Sequence, residues 1–294
     1  MAGNRVESKP LLEQILRDFL SEDLGYGDIT SEALIPAEQR ASARLYFREP
    51  GVAAGLEETE VLLKMLGCVV KLVARDGAEV KPRQVLLEAT GTARTLLASE
   101  RLILNIVSHM AGIATATAEA VKQAHEVNPD IRVAATRKTL PGLRGFEKRA
   151  VVLGGGDTHR LRLDDCVLIK DNHLSLLLSV SEAIRLAKAK ASFTKKIEIE
   201  VRTAEQAEEA ARAGADIIMF DNMDPPRIRE VLGQLASRGL RVGRLFEASG
   251  GITLDNVGEY AATGVDVVSI GSLTHSVRAL DVKLEIGITQ GIKV

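Results

Sequence analysis

The hydrophobic residues of this chain recur in two rhythms. After Pro10, the apolar residues Leu11, Leu12, Ile15, Leu16, Phe19 and Leu20 share one helical face. Charges interrupt them every few positions, which marks an amphipathic helix rather than a signal peptide. A polar turn, GYGDI (25–29), precedes a strand-like RLYFR (44–48). Residues 56–66 return to the helical rhythm, and CVVKLV (68–73) and VLLEA (85–89) read as strands. This mixture predicts an α/β sandwich over roughly the first 90 residues. Residues 92–126 read as one or two helices, with Gly112 the predicted break.

From residue 131 a unit repeats: a short apolar run, a polar cluster, then a helical stretch. The runs are IRVAA (131–135), CVLI (166–169), KIEIEV (196–201), DIIMF (216–220), RLFEA (244–248) and DVVSI (266–270). Six βα units with β-branched, nearly continuous apolar strands predict a parallel sheet, and right-handed crossovers would curl it into a (β/α) barrel short of the usual eight units. A last strand-like KLEIGI (283–288) is expected to return to the N-terminal part. The predicted domains are therefore 1–112, joined by the tail 277–294, and a barrel over 113–276.

Composition removes several function classes. Thirty-eight Lys and Arg against 40 Asp and Glu leave a net charge of −2, and the chain has no Trp, three Tyr and six Phe. Such a balance argues against nucleic acid as a partner, since neither a basic surface nor stacking rings are abundant. No stretch approaches the roughly 18 uncharged apolar residues of a membrane span. Cys68 and Cys166 lie far apart without a CxxC partner and read as reduced core thiols. The expectation is a cytoplasmic protein.

Chemistry concentrates where each barrel strand ends: Thr136-Arg137-Lys138, Lys170-Asp171-Asn172-His173, Glu200, Asp221-Asn222, Glu247-Ala248-Ser249-Gly250-Gly251 and Ser269-Ile270-Gly271-Ser272. That edge carries the active site in parallel α/β proteins. The last two clusters suit a phosphate monoester, because glycines let backbone N–H groups approach its oxygens; tight βα turns are the plainer reading. Between Arg137 and Lys170, eight Lys or Arg face four Asp or Glu, a local +4. Arg137, Lys138, Arg160 and Lys170 could hold a small polyanion, or pair on the surface with Glu147, Asp157, Asp164 and Asp165. GGG (154–156) fits either a phosphate loop or a flexible joint. Glu200 and Asp221 could hold Mg²⁺ on a pyrophosphate, stabilise a developing positive charge, or form a glycosidase pair. The five histidines show no zinc spacing.

Seven ordered motifs then carry a resemblance: SEDLGYGDIT (21–30), SERLILN (99–105), TRKTLPGLR (136–144), GGGDTHR (154–160), LIKDNH (168–173), EASGGI (247–252) and SIGSLTHS (269–276). Together they resemble the quinolinate phosphoribosyltransferase family over nearly the whole chain. Leu140 departs from the family's common RKTTPG without displacing a charged residue.

The resemblance implies an N-terminal α/β sandwich on an open six- or seven-stranded parallel α/β barrel. It also implies transfer of ribose phosphate from phosphoribosyl pyrophosphate to quinolinate with decarboxylation. By the family pattern, Thr136, Arg137, His159, Arg160 and Lys170 would hold quinolinate, with Arg101 of a neighbouring subunit. Lys138, Glu200 and Asp221 would be catalytic and handle phosphoribosyl pyrophosphate and its Mg²⁺, with Glu200 and Asp221 the metal's carboxylates. Ser249, Gly250, Gly251, Ser269, Ile270 and Gly271 would cradle the 5-phosphate. A shared site implies a homo-oligomer, a dimer or a hexamer.

Overall fold

The computed structural model describes residues 8–288, so the first seven residues of the expected N-terminal domain and residues 289–294 of its tail lie outside it. Of the described residues, 8–118, 145–155 and 277–288 form one compact unit, and 119–144 and 156–276 the other. The segment 145–155, which chain order puts in the barrel, groups with the first unit.

In the first unit, α1 (Lys9–Leu24) starts on Pro10 and buries Leu12 and Leu16, and α2 (Ile29–Leu34) is capped by Asp28, whose side chain accepts the Ser31 N–H. Strand β1 (Arg40–Phe47) alternates, burying Ala41, Ala43, Leu45 and Phe47 on one face. The rest comprises β2 (Gly51–Val52), α3 (Leu56–Met65), β3 (Val69–Leu72), β4 (Glu79–Val80) and β5 (Val85–Thr92). Helix α4 (Ala93–Val127) follows, then, past strand β6 (Arg132–Ala134) of the barrel, α5 (Arg144–Leu153). The C-terminal strand, numbered β12 (Val282–Ile288), pairs antiparallel with β1, giving a four-stranded sheet ordered β12-β1-β5-β3. The returning strand is thus found; β2 and β4 pair separately.

Gly112 does not break the helix, because α4 runs unbroken for 35 residues. Its glycine serves a close approach instead: a Cβ there would overlap the carbonyl oxygen of Arg278. Gly154 is the same device, since its Cβ would overlap Ala114 O and the Thr117 side chain. Neighbouring Gly155 takes a left-handed φ of 86°. Packing and turn geometry account for these first two glycines of the GGG run. Among the described residues α4 is the one helix long and apolar enough to cross a membrane, but 56% of its apolar window is buried inside the protein, as in a core helix.

Two of the eight basic residues counted above belong here rather than to a ligand pocket. Lys148 is fully buried on α5. Arg149 is clamped by Glu58 (Nη1 to both oxygens, 2.7 Å), Glu57 and Asp76 (2.8 Å each). His109 of α4 meets Glu147 at 3.0 Å.

In the second unit the strands are β6, β7 (Val167–Ile169), β8 (Ile197–Val201), β9 (Ile217–Asp221), β10 (Leu245–Ser249) and β11 (Val267–Ser269). Each apolar run read from the sequence forms one of them. They make one parallel sheet ordered β6-β11-β10-β9-β8-β7. Successive strands step the same way throughout, the order of a barrel whose seam lies between β6 and β7. A single parallel bridge, Ala134 with Asp157, stands on β6's open edge where a seventh strand would run. The connecting helices are α6 (Asp171–Leu174), α7 (Val180–Lys190), α8 (Ala204–Ala213), α9 (Pro225–Ser237), α10 (Val257–Ala261) and α11 (Ser272–His275). Side-chain caps from Ser179, Thr203 and Asp224 start α7, α8 and α9.

Two stability tests follow. Arg149→Met takes the cation from the buried Glu58 carboxylate, which it holds through both oxygens, and one cationic contact each from Glu57 and Asp76, and is expected to lose about 3–5 kcal/mol in denaturant unfolding. Gly112→Ala should destabilise the fold by about 1 kcal/mol or more, although alanine favours a helix by about that amount, because the overlap with Arg278 outweighs propensity. A gain in stability would remove the close-approach argument.

Candidate active site

All six barrel strands end on one rim, and residues two apart on a strand point the same way. Glu200 and Arg202, Met219 and Asp221, and Glu247 and Ser249 therefore form inward pairs. With Ala135, Thr136, Arg137, Lys138, His159, Arg160, Leu168, Lys170, Asn222, Gly250, Gly251 and Ser269 they line a cavity of about 500 Å³. Twelve of the sequence-predicted residues meet here. Ile270 and Gly271 do not line the cavity; Ile270 is buried and its N–H already donates to Ala134 O at 2.9 Å, so it has no N–H to offer a phosphate. Gly271 lies beneath Lys138, where a Cβ would touch the lysine Cδ at 3.3 Å. Arg101 is exposed on α4, in the first unit.

Opposite charges pair within the cavity. Lys170 Nζ donates to Glu200 Oε1 at 2.5 Å. Asp221 Oδ2 accepts Arg202 Nε at 2.9 Å, and Arg202 also donates to Asp171 at 2.9 Å. Asp221 Oδ1 accepts the Asn222 amide at 2.8 Å. Arg137 Nε is buried with no hydrogen-bond partner. A buried guanidinium N–H without an acceptor is unfavourable alone and suits an incoming anion. Three of the four acids in the surface-pair reading lie against other groups. Glu147 pairs with His109, Asp157 with Arg132 at 3.7 Å, and Asp165 accepts the backbone N–H groups of Leu161 and Arg162.

The glycine turns are shaped by neighbours. Gly250 has φ 95°, and a Cβ on it would overlap the Asn222 side chain. Asn222 itself has φ 54° and donates its N–H to Ser249 O at 2.8 Å, joining the ends of β9 and β10.

Below the rim lies a buried cluster. His159 Nε2 is 3.2 Å from Glu247 Oε2 and 3.3 Å from Glu198 Oε1. Glu198 and Glu247 are both buried, and Glu198 Oε1 makes no hydrogen bond. Burial opposes charge on His159, but the Glu198 and Glu247 carboxylates at its Nε2 outweigh it, so the cluster keeps a proton well above neutral pH. Burial also raises the Glu198 carboxyl, helped by the charge of Glu247. The proton so retained belongs to the cluster. Because His159 Nδ1 accepts the Arg160 N–H at 2.8 Å, a second ring proton has no room there, which places the retained proton on the carboxylate side.

Cys166 donates to Glu198 at 3.9 Å, and burial, then the Glu198 charge, push its thiol up to about 11. It is therefore a weak nucleophile. Both cysteines are free.

Sequence reasoning missed Glu198 and Arg202 as site residues, and placed Asn222 and Glu247 in the strand-end clusters without giving them a role. A period-two count along KIEIEV puts Glu198 on the Glu200 face, and the same count from Ser249 reaches Glu247. Nothing in the sequence marks Arg202, which reaches the site through ion pairs from two other strand ends.

The chain is similar to known proteins in both of its halves. Residues 28–111 match the family described as "Quinolinate phosphoribosyl transferase, N-terminal domain", and residues 113–285 match its C-terminal domain. A "Probable nicotinate-nucleotide pyrophosphorylase [carboxylating]" of Methanothermobacter thermautotrophicus is 46% identical over 272 residues, 92% of this chain and 98% of the relative. The "Nicotinate-nucleotide pyrophosphorylase [carboxylating]" of Rattus norvegicus is 35% identical, covering 94% and 91%. The crystal structure of NadC from Streptococcus pyogenes superposes with a TM-score of 0.89 at 35% identity, over 97% of this chain and 99% of that one. Matched in both halves and along nearly its whole length, the chain belongs to the quinolinate phosphoribosyl transferase family and is a phosphoribosyltransferase.

Proposed function

We propose that this chain transfers the 5-phosphoribosyl group from phosphoribosyl pyrophosphate to the ring nitrogen of quinolinate, releasing pyrophosphate and CO₂ and forming nicotinate mononucleotide for NAD biosynthesis. The observation that carries this reading is one cavity with Arg137, Lys138, Arg160 and Lys170 set against Glu200 and Asp221, beside the Gly250-Gly251 turn at the end of β10 and Ser269 of β11. A pyridine dicarboxylate needs several cations held at fixed angles, and two arginines and a lysine supply them. The unpartnered Arg137 Nε is suited to one of its oxygens.

As pyrophosphate departs, positive charge develops at the anomeric carbon. Glu200 and Asp221 stabilise it, while Lys138 neutralises the leaving group. Both carboxylates have cationic partners within the protein, Lys170 and Arg202. Entry of anionic substrates draws these cations toward new oxygens and releases the carboxylates for the reaction. Backbone N–H groups around 249–251 and Gly271 hold the 5-phosphate. Ribosylation makes the ring nitrogen positive, which stabilises the electron pair left on the adjacent ring carbon when its carboxylate departs as CO₂; that carbon then takes up a proton from water, so the protein need only position and screen charge. No covalent enzyme intermediate is required.

The oxygen donors of Glu200 and Asp221 fit Mg²⁺, a hard cation. They would hold it mainly through phosphoribosyl pyrophosphate, and when bound it would neutralise the pyrophosphate. The enzyme acts in the cytoplasm as a homo-oligomer, a dimer or hexamer, in which the exposed Arg101 completes a neighbour's quinolinate site.

Purified protein with Mg²⁺, phosphoribosyl pyrophosphate and quinolinate should form nicotinate mononucleotide and CO₂ in equal amounts, with nicotinate a poor substitute because it leaves one clamp unpaired. A folded protein that makes no product would overturn this function. Lys138→Ala should lower kcat by about 100-fold or more, roughly the effect of removing one preorganised charge at a leaving group, with an unchanged melting temperature. Mixing inactive Arg101→Ala and Lys138→Ala proteins should restore part of the activity when subunits exchange; no rescue despite exchange shown by mass spectrometry would argue for sites built within one chain.

A further inference from the structure

Both ring nitrogens of His159 are used inside the protein. Nδ1 accepts the backbone N–H of Arg160 at 2.8 Å, and Nε2 meets Glu247 Oε2 at 3.2 Å. A ring nitrogen that accepts from a backbone N–H carries no proton, so the proton of the neutral ring sits on Nε2 and is donated to Glu247. The other Glu247 oxygen accepts the Ser269 hydroxyl at 2.5 Å. Polar contacts thus run from Ser269 at the end of β11, through Glu247 of β10 and His159, to the main chain of Arg160, whose side chain lines the cavity.

The backbone at His159 has to be held in place. Its φ is 51°, a region that side-chain-bearing residues rarely adopt. Asp157 supports it from behind by accepting the His159 N–H at 2.7 Å. Without the Glu247 acceptor, the Nε2 side would face Glu198 Oε1 at 3.3 Å, an atom that makes no hydrogen bond with it, and Nδ1 would lose its hold toward Arg160.

His159, Glu198 and Glu247 also place three ligand-type atoms within 4.8 Å of one another. The tautomer argues against a cation there. A metal on Nε2 needs that nitrogen's lone pair, which would move the proton to Nδ1 and break the contact with Arg160.

We propose that Glu247 is a positioning residue for the acceptor substrate: it orients His159, which through Nδ1 sets the main chain of Arg160 and so aims its guanidinium at a quinolinate carboxylate. His159 then acts on the substrate through Arg160 rather than by direct hydrogen bonding. The inference rests on the proposed role of Arg160 as a carboxylate clamp.

The test compares Glu247→Met, close in volume but without an acceptor, with Glu247→Gln, whose amide oxygen can still accept from His159 while the Ser269 hydroxyl turns to accept its N–H. Glu247→Met should raise KM for quinolinate about tenfold or more, the effect of one lost buried hydrogen bond, and leave KM for phosphoribosyl pyrophosphate within about twofold; Glu247→Gln should recover most of the loss. Equal rises in both KM values, no rise, or Gln no better than Met would each overturn the proposal. Nitrogen-15 NMR of labelled histidines in the wild-type protein gives a readout independent of these variants' folding. His159, assigned by the loss of its signals in His159→Gln, should show a protonated Nε2 and a bare Nδ1, and an imidazolium or Nδ1–H form would also overturn it. Wild-type protein inactive on quinolinate but showing this tautomer would sink the proposed reaction while leaving the contact from Glu247 to Arg160 in place.

Discussion

Because the six barrel strands run in one direction and step the same way around the sheet, every strand delivers its last inward residue to the same rim, and the residue two positions earlier to a layer beneath it. The chemistry depends on this constraint. Glu200, Asp221, Ser249 and Ser269 reach the rim from four different strands, far apart in sequence and close in space. Glu198 and Glu247 sit in the layer below, where water is excluded and a carboxylate must be hydrogen-bonded or keep a proton. His159 meets that need for Glu247 and, on its other nitrogen, holds the backbone of Arg160.

The cavity is also electrostatically balanced. Its cations and carboxylates pair with each other, as in Lys170 with Glu200 and Arg202 with Asp221. Such partly exposed pairs are individually weak, so highly charged substrates can exchange with them without a large barrier. Arg137 differs, because its buried Nε has no protein acceptor to give up. A chain of net charge −2 can therefore hold two polyanionic substrates by sorting its charges locally.

Much of this was legible in the chain. The six apolar runs form the six barrel strands, and the KLEIGI segment returns to pair with β1. Failures cluster where a residue answers to something distant in sequence. Gly112 looked like a helix break, yet it sits inside α4 because the Arg278 carbonyl comes too close for a side chain. The GGG run looked like a phosphate loop or joint, yet Gly154 is needed against α4. The basic excess between Arg137 and Lys170 mixed two populations, since Lys148 and Arg149 are buried on α5, the latter in an ion cluster of its own.

By itself the sequence determined the strand and helix rhythm, the barrel class and the set of polar residues at the strand ends, because periodicity and turn chemistry are local properties of the chain. Only the tertiary structure decided which of those polar groups face one another. It paired Glu247 with His159, bound the Ile270 N–H to the Ala134 carbonyl, and brought Arg202 onto Asp221 and Asp171. Hydrogen bonds and ion pairs depend on distances of a few ångströms between segments tens of residues apart, and strand register and packing set those distances.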